Sequence, residues 1–215
     1  MGASWWVTET LSAGPIFFGS WVFWGLVAVV LHELAHGRAA ISRGDMTPEW
    51  AGHMTWNPLV HVDTWGWIAF ALIGIPWGRM PIDPSRIRGR YGLSFVAAAG
   101  PATNLLLSVL CIVGMVLWMK FAGGVKDPVQ GNVRIFFSTG AWLNMVLMVF
   151  NLIPVPPLDG WRIGCNVSRW FESVWEGERG ALIGLIAFMV VFWFAAGPVV
   201  MIAQRLISLI ARALI

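Results

Sequence analysis

Charged side chains are scarce in this sequence. Only 12% of its 215 residues are Asp, Glu, Lys or Arg, whereas a soluble domain has about 25%. Hydrophobic residues make up 58% of the chain. The net charge of +3 is small. The sequence also lacks a block of basic residues that would predict binding to nucleic acid. The composition therefore predicts an integral membrane protein that has the lipid bilayer as its surroundings.

Cysteine is nearly absent, since Cys111 and Cys165 are the only two in the chain. Two distant cysteines exclude a disulfide framework and a zinc site built from thiolates. The first residues also lack a basic stretch followed by a small-residue cleavage site, so we expect no removable signal peptide.

Four apolar runs are long enough to cross a bilayer, which takes about 20 helical residues: 16–41, 91–119, 135–153 and 180–203. A fifth, 64–78, is too short and is broken by glycine and proline, so it predicts a re-entrant hairpin. The predicted fold is an all-α polytopic membrane protein with about four transmembrane helices and a re-entrant hairpin between the first and second. We expect a single domain over 1–215, with a motif-bearing core at 16–160, the last span at 180–203 and an interfacial tail at 204–215.

The first run contains His32, Glu33 and His36. Ionisable residues are costly inside a membrane and usually mark a function. On a helix, His32 and His36 lie four residues apart on one face, so both imidazoles can bind one metal ion. Glu33 then lies beside that ion, where it can reach a metal-bound water. This is the His-Glu-x-x-His arrangement of zinc peptidases.

A catalytic zinc ion usually takes three protein ligands and a water. Asp159 is the favoured third ligand, because it follows the third apolar run and a proline-rich break that can turn its carboxylate back toward the first run. His53 and His61, in the loop before the hairpin, are the competing candidates.

Four segments together resemble the site-2 protease family of intramembrane zinc metalloproteases. Segments 32–37 (HELAHG) and 151–160 (NLIPVPPLDG) resemble its two signature motifs. Segment 99–104 (AGPATN) resembles its Gly-Pro-x-x-Asn element, and 57–63 (NPLVHVD) resembles its loop entering a membrane hairpin. The chain departs from the family in having neither a PDZ insertion nor a C-terminal nucleotide-binding pair, and in having Trp161 where a second glycine is common.

The resemblance implies one zinc ion per chain held by His32, His36 and Asp159, with Glu33 as general base. It implies that Asn104 helps to position the substrate or to polarise its scissile carbonyl. Asn57 and His61, in the loop segment, are further candidates for positioning the substrate.

The predicted function is cleavage of peptide bonds within or near transmembrane helices, that is, regulated intramembrane proteolysis of a membrane protein or peptide. An idle scaffold of the same fold that binds membrane helices is the main alternative, and a metal transporter is a second. The arginines that flank the first span and the hairpin predict that the active-site end faces the cytoplasm of a prokaryotic plasma membrane. Lys120, Lys126 and Arg134 then lie on the outer side.

Overall fold

The computed structural model describes residues 5–122, 125, 127–175 and 177–214. Within these residues the regular structure is helical and no strand occurs. The α-helices are α1 (Trp6–Ser12), α2 (Pro15–Ser42), α3 (Thr47–Trp50), α4 (Pro58–His61), α5 (Thr64–Ile73), α6 (Gly92–Phe121), α7 (Val129–Asn151), α8 (Asp159–Val167), α9 (Arg169–Val174) and α10 (Gly177–Leu214), and a short 3-10 helix covers Pro84–Arg86. Four of them, α2, α6, α7 and α10, are long and apolar enough to span a membrane. The predicted all-α polytopic fold is therefore confirmed.

The bundle is built around α2, α6 and α7, which all pack against one another, while α10 packs on α7. Its main apolar core lies between α6, α7 and α10 and includes Cys111, Trp142 and Ile207. The outer face of α10 carries large apolar side chains such as Trp193, which is 79% exposed. Such a face suits lipid, because the bilayer interior solvates apolar side chains and leaves the polar ones to the bundle interior.

A hairpin joins α2 to α6, as the short apolar run predicts. Asp63 caps the start of α5, since its carboxylate accepts from the Gly66 N–H, and Gly74 caps the end in a left-handed conformation (φ 80°). The chain then returns in extended form, running in the same direction as α2. Pro76 lies against Gly25, and Gly78 lies against Glu33.

Tryptophan indoles close the far end of this hairpin. The last carbonyls of a helix have no partner within the helix, and unpaired groups are costly in hydrocarbon. Trp5 and Trp6 donate to the Ala71 carbonyl at 2.8 and 3.0 Å, and Trp21 donates to the Gly74 carbonyl at 2.7 Å. Trp5 and Trp6 therefore stabilise the turn of the hairpin, a role that a general preference of tryptophan for the membrane interface does not predict.

Two boundaries differ from the sequence prediction. Helix α7 begins at Val129, six residues before the predicted span, because its first turns are polar and extend beyond the apolar stretch. Helix α10 continues to Leu214, so the described part of 204–215 is not a separate helix. Ala203 and Ile207 are buried in the core, which explains why the helix continues. Lys126 lies outside the described residues, as does Ile215.

Candidate metal centre

Helix α2 carries both histidines of the candidate site. His32 and His36 are buried, with 9% and 6% of their surfaces exposed. They lie ten and six residues before the end of the helix at Ser42. At a rise of 1.5 Å per residue they are about 15 and 9 Å from that end, within the depth of a bilayer about 30 Å thick.

The proline-rich break after α7 brings Asp159 to these histidines. The chain leaves α7 at Asn151, and Leu158 is extended, so α8 starts at Asp159 itself. Asp159 Oδ2 lies 3.1 Å from His32 Nε2 and 3.3 Å from His36 Nε2, and the two Nε2 atoms are 3.0 Å apart. Two ligands of a tetrahedral zinc ion, each about 2.05 Å from the metal, are about 3.3 Å apart. The three atoms therefore form a triangle close to one face of a zinc tetrahedron.

Hydrogen bonds determine which nitrogen of His32 carries its proton. The Gly140 carbonyl can only accept, so Asn144 donates to it through Nδ2 at 2.9 Å. Asn144 Oδ1 then accepts from Asn104 Nδ2 at 3.0 Å, and Asn104 Oδ1 faces His32 Nδ1 at 2.6 Å. His32 must therefore donate from Nδ1, which leaves a lone pair on Nε2. We call this chain of hydrogen bonds the asparagine relay.

His36 is oriented in the same way by the backbone. Its Nδ1 lies 2.7 Å from the Val96 carbonyl, which can only accept. The lone pairs of two imidazoles and a carboxylate thus converge, and Asp159 Oδ2 is buried without a hydrogen-bond donor. Such a cluster repels itself unless a cation lies within it. Two neutral histidines and one carboxylate are also a usual ligand set for catalytic zinc, so the residues fit that ion.

Gly100 allows α6 to approach this cluster. A Cβ atom at Gly100 would lie 2.5 Å from His32 Nε2 and 2.5 Å from His36 Nε2. Real Cβ atoms are not found that close to other heavy atoms, so only glycine fits here. The helix interior normally disfavours glycine by roughly 0.5–1 kcal/mol relative to alanine, and the space needed by the imidazoles explains its presence.

Glu33 lies beside the three ligands at the edge of a cavity of about 550 Å³. It is buried, with 6% of its surface exposed, and it lies so close to Gly78 that a Cβ atom there would be 2.7 Å from Glu33 Cγ and Oε1. It has no hydrogen-bond or ion-pair partner among the described residues. Its carboxylate is therefore available to accept a proton from a molecule in the cavity. Arg162, one turn after Asp159 on α8, lines the same cavity.

The remaining predicted residues lie elsewhere. His53 and His61 are outside the three-residue cluster that can hold a metal ion in the described structure. His61 is buried and donates to the Thr55 carbonyl at 2.7 Å. Burial lowers the pKa of its imidazole, which favours the neutral form. Asn57 is exposed and caps α4 by accepting from the Leu59 N–H at 3.0 Å.

Asn104 is fully buried behind His32, on the wall of the cavity that contains Glu33. Both ends of its amide are occupied in the asparagine relay. The structure therefore supports a role in orienting a ligand, whereas contact with a substrate stays a prediction.

Sequence reasoning did not assign functional roles to Asn144, Gly100 and the Val96 carbonyl. A buried asparagine in an apolar helix is a detectable signal, because it needs a partner, but the partner of Asn144 lies 40 residues away. No sequence pattern identifies the Val96 carbonyl as the acceptor for His36, because every residue has a backbone carbonyl.

Comparison with known proteins places these residues in context. The model for peptidase family M50 matches residues 22–196. The chain is 34% identical to "Putative zinc metalloprotease YwhC" of Bacillus subtilis over 82% of this chain and 81% of that protein. It is 33% identical to "Putative zinc metalloprotease Rip2" of Mycolicibacterium smegmatis over 63% of this chain and 52% of that protein. It is also 28% identical to "Putative zinc metalloprotease MJ0611" of Methanocaldococcus jannaschii, over 46% of this chain and 44% of that protein. No solved structure matches the chain.

Proposed function

This chain belongs to peptidase family M50, and on that premise we propose that it is an intramembrane zinc endopeptidase. Its substrates are membrane proteins or peptides, cut within or near a transmembrane helix as in regulated intramembrane proteolysis. The observation that carries the proposal is the convergence of His32, His36 and Asp159 next to an unpartnered Glu33, at a depth of about 9–15 Å below the end of α2.

The chemistry divides between the ion and the protein. His32, His36 and Asp159 would hold the zinc ion, which would supply Lewis acidity by lowering the pKa of a water toward about 7 and polarising the scissile carbonyl. Glu33 accepts the proton of the attacking water and then passes it to the leaving amine. The asparagine relay and the Val96 carbonyl keep the two imidazoles turned toward the ion, so no reorientation is needed during the reaction.

The returning segment of the hairpin, residues 75–82, is suited to hold the substrate. A transmembrane helix hides its carbonyls in its own hydrogen bonds, so the substrate must unwind before cleavage. Segment 75–82 is extended and lines the cavity. Among the described residues it leaves five N–H groups without an acceptor, those of Ile75, Trp77, Gly78, Met80 and Ile82.

Successive N–H groups of an extended segment point to opposite sides, and the Arg79 N–H is already bonded to the His61 carbonyl. The N–H groups of Gly78, Met80 and Ile82 therefore form the free edge, to which an unwound peptide can add as a strand. Gly78 contacts Glu33, so a peptide paired there brings one of its bonds to the general base. This geometry supports hydrolysis of an extended segment rather than of an intact helix.

The relatives come from bacteria and an archaeon, which supports a prokaryotic plasma membrane as the location. The arginines at the end of α2 and before α6 support an active-site end that faces the cytoplasm. An idle scaffold of the same fold is the second candidate. It would need the hairpin and the cavity but neither a general base nor a complete ligand set, so the presence of Glu33 beside His32, His36 and Asp159 supports the enzyme.

The decisive experiment uses Glu33→Gln, which keeps the size of the side chain but cannot accept the proton. The purified variant should bind zinc with wild-type stoichiometry and bind a fluorescent transmembrane peptide. Its single-turnover cleavage rate should fall roughly 10²–10⁴-fold.

Two results would contradict the proposal. Cleavage by Glu33→Gln at the wild-type rate would exclude Glu33 as the base. A zinc-loaded wild-type protein that binds transmembrane peptides and cleaves none of them would favour the scaffold.

A further inference from the structure

A second concave site lies at the boundary of the membrane, between the end of α2, the start of α6 and the middle of α8. Its mouth carries Arg43, which directly follows α2, and Arg90, which lies two residues before α6. Its walls are largely apolar and are formed by Tyr91, Phe95, Ala98 and Ile163. The site is separate from the cavity that contains Glu33.

Neither arginine at this site pairs with a carboxylate of the described residues. In the described residues the only arginine within 4 Å of a carboxylate is Arg86, which pairs with Asp83 at 2.9 Å. Arg43 and Arg90 instead lie over aromatic rings, with Cζ 4.4 Å from the Phe95 centroid and 5.1 Å from the Tyr91 centroid. Ring contacts leave the edge of a guanidinium free to donate, so both groups can still bind an anion.

The backbone holds these arginines in place. The Arg88 N–H donates to the Arg43 carbonyl at 2.8 Å, which joins the end of α2 to the segment before α6. Gly89 has a positive φ of 92°, and a Cβ atom there would lie 3.7 Å from Arg43 Nη1. Asn166 on α8 donates to the Arg90 carbonyl at 3.2 Å. The three walls are therefore tied together before any ligand binds.

From this combination we propose that the pocket binds the headgroup of an anionic phospholipid. The two guanidiniums lie beside the C-terminal end of a 28-residue span and the N-terminal end of a 30-residue span. At 1.5 Å per residue such helices are about 42–45 Å long, which matches a bilayer of about 40–45 Å including its headgroups. Guanidinium binds phosphate through paired hydrogen bonds. The apolar walls continue from Tyr91 to Ala98, two turns into α6, and fit the glycerol and upper acyl chains. A free inorganic anion would leave these walls uncovered, and basic pockets between membrane helices are known to suit such headgroups.

The site also contacts the elements that build the metal centre. Arg43 follows the helix of His32 and His36, Ile163 lies on the helix that starts at Asp159, and Phe95 precedes the Val96 carbonyl that orients His36. A lipid seated here therefore contacts α2, α6 and α8 together.

The test uses the full chain in mixed micelles of dioleoylphosphatidylglycerol and dioleoylphosphatidylcholine, with lipid binding measured by native mass spectrometry. The wild type should retain one phosphatidylglycerol per chain in preference to phosphatidylcholine. Arg43→Gln and Arg90→Gln should each weaken the apparent Kd about fivefold, and the double variant about 25-fold, as expected for one basic residue near a headgroup. Each variant should keep the wild-type melting temperature in phosphatidylcholine alone.

Arg86→Gln is the matched control, because it removes the same charge from the same segment while Arg86 is paired with Asp83 and stacked on Trp50. It should change the Kd less than twofold. Ala98→Phe fills the apolar part of the pocket without altering charge and should also weaken binding. Equal weakening by all three arginine variants would overturn the proposal in favour of diffuse attraction. Equal retention of both lipids, or an unchanged Kd in Ala98→Phe, would overturn it as well.

Discussion

The asparagine relay yields the sharpest quantitative prediction. Asn104→Ala removes the acceptor that holds His32 Nδ1, and it leaves Asn144 Oδ1 without its donor. Loss of such an outer hydrogen bond typically weakens metal binding about 10- to 100-fold. The cost of leaving one buried polar group unpaired, about 1–3 kcal/mol, corresponds to about 5- to 150-fold and agrees with that range. We therefore expect a 10- to 100-fold loss of zinc affinity.

The assay is a competition titration of purified protein against a chromophoric zinc chelator, which reads metal affinity and needs no substrate. Ser108→Ala is the matched control. Ser108 is also fully buried on α6, one turn after Asn104, and donates to the Ala141 carbonyl on α7 at 2.7 Å. The Ser108→Ala variant loses this buried interhelical hydrogen bond but keeps the one to His32. Its zinc affinity should therefore stay within about twofold of the wild type.

A second variant separates orientation from packing. Asn104→Asp keeps an oxygen that can accept from His32 Nδ1, and carboxylates commonly fill this position behind zinc-bound histidines. It should retain most of the zinc affinity. Wild-type affinity in Asn104→Ala, or an equal loss in Ser108→Ala, would refute the inference that the relay orients His32.

Three further predictions concern the same centre and its orientation. Gly100→Ala should abolish most zinc binding, because its Cβ would displace both imidazoles. The control Gly19→Ala on α2, where a Cβ meets nothing within 4 Å, should bind zinc normally. Equal zinc binding by the two variants would contradict the close approach of α6. Asp159→Ala should lose most bound zinc by elemental analysis, and full stoichiometry in that variant would return His53 or His61 as the third ligand. In a background without Cys111 and Cys165, Val129→Cys should react with an impermeant thiol reagent in intact cells and Trp170→Cys should not, and the reverse pattern would invert the proposed orientation.

The sequence was most informative about features that lie within a single helix. The apolar runs locate the four spans because the bilayer demands about 20 apolar residues in a row. The spacing of His32 and His36 is read directly, since residues four apart share a helix face. The hairpin could also be predicted, because its apolar run is too short to cross and contains Gly74 and Pro76.

The sequence was less informative about the ends of helices. The start of α7 at Val129 could not be predicted from hydropathy, because the first turns of the helix are polar. Hydropathy locates the apolar stretch of a helix and not its polar ends. The extension of α10 past Ala203 depends on contacts with α7 and not on local composition.

By itself the sequence determined the class of the protein, its spans and the pair of histidines, because these depend on composition and on local helical geometry. Only the tertiary structure decided that Asp159 reaches them, that the asparagine relay and the Val96 carbonyl leave both Nε2 lone pairs facing one point, and that Gly100 makes room for the rings. These contacts join residues of α2, α6, α7 and α8 that lie 40 to 127 positions apart in the sequence. Contacts of that kind depend on how helices pack, and helix packing leaves no periodic pattern in a single chain.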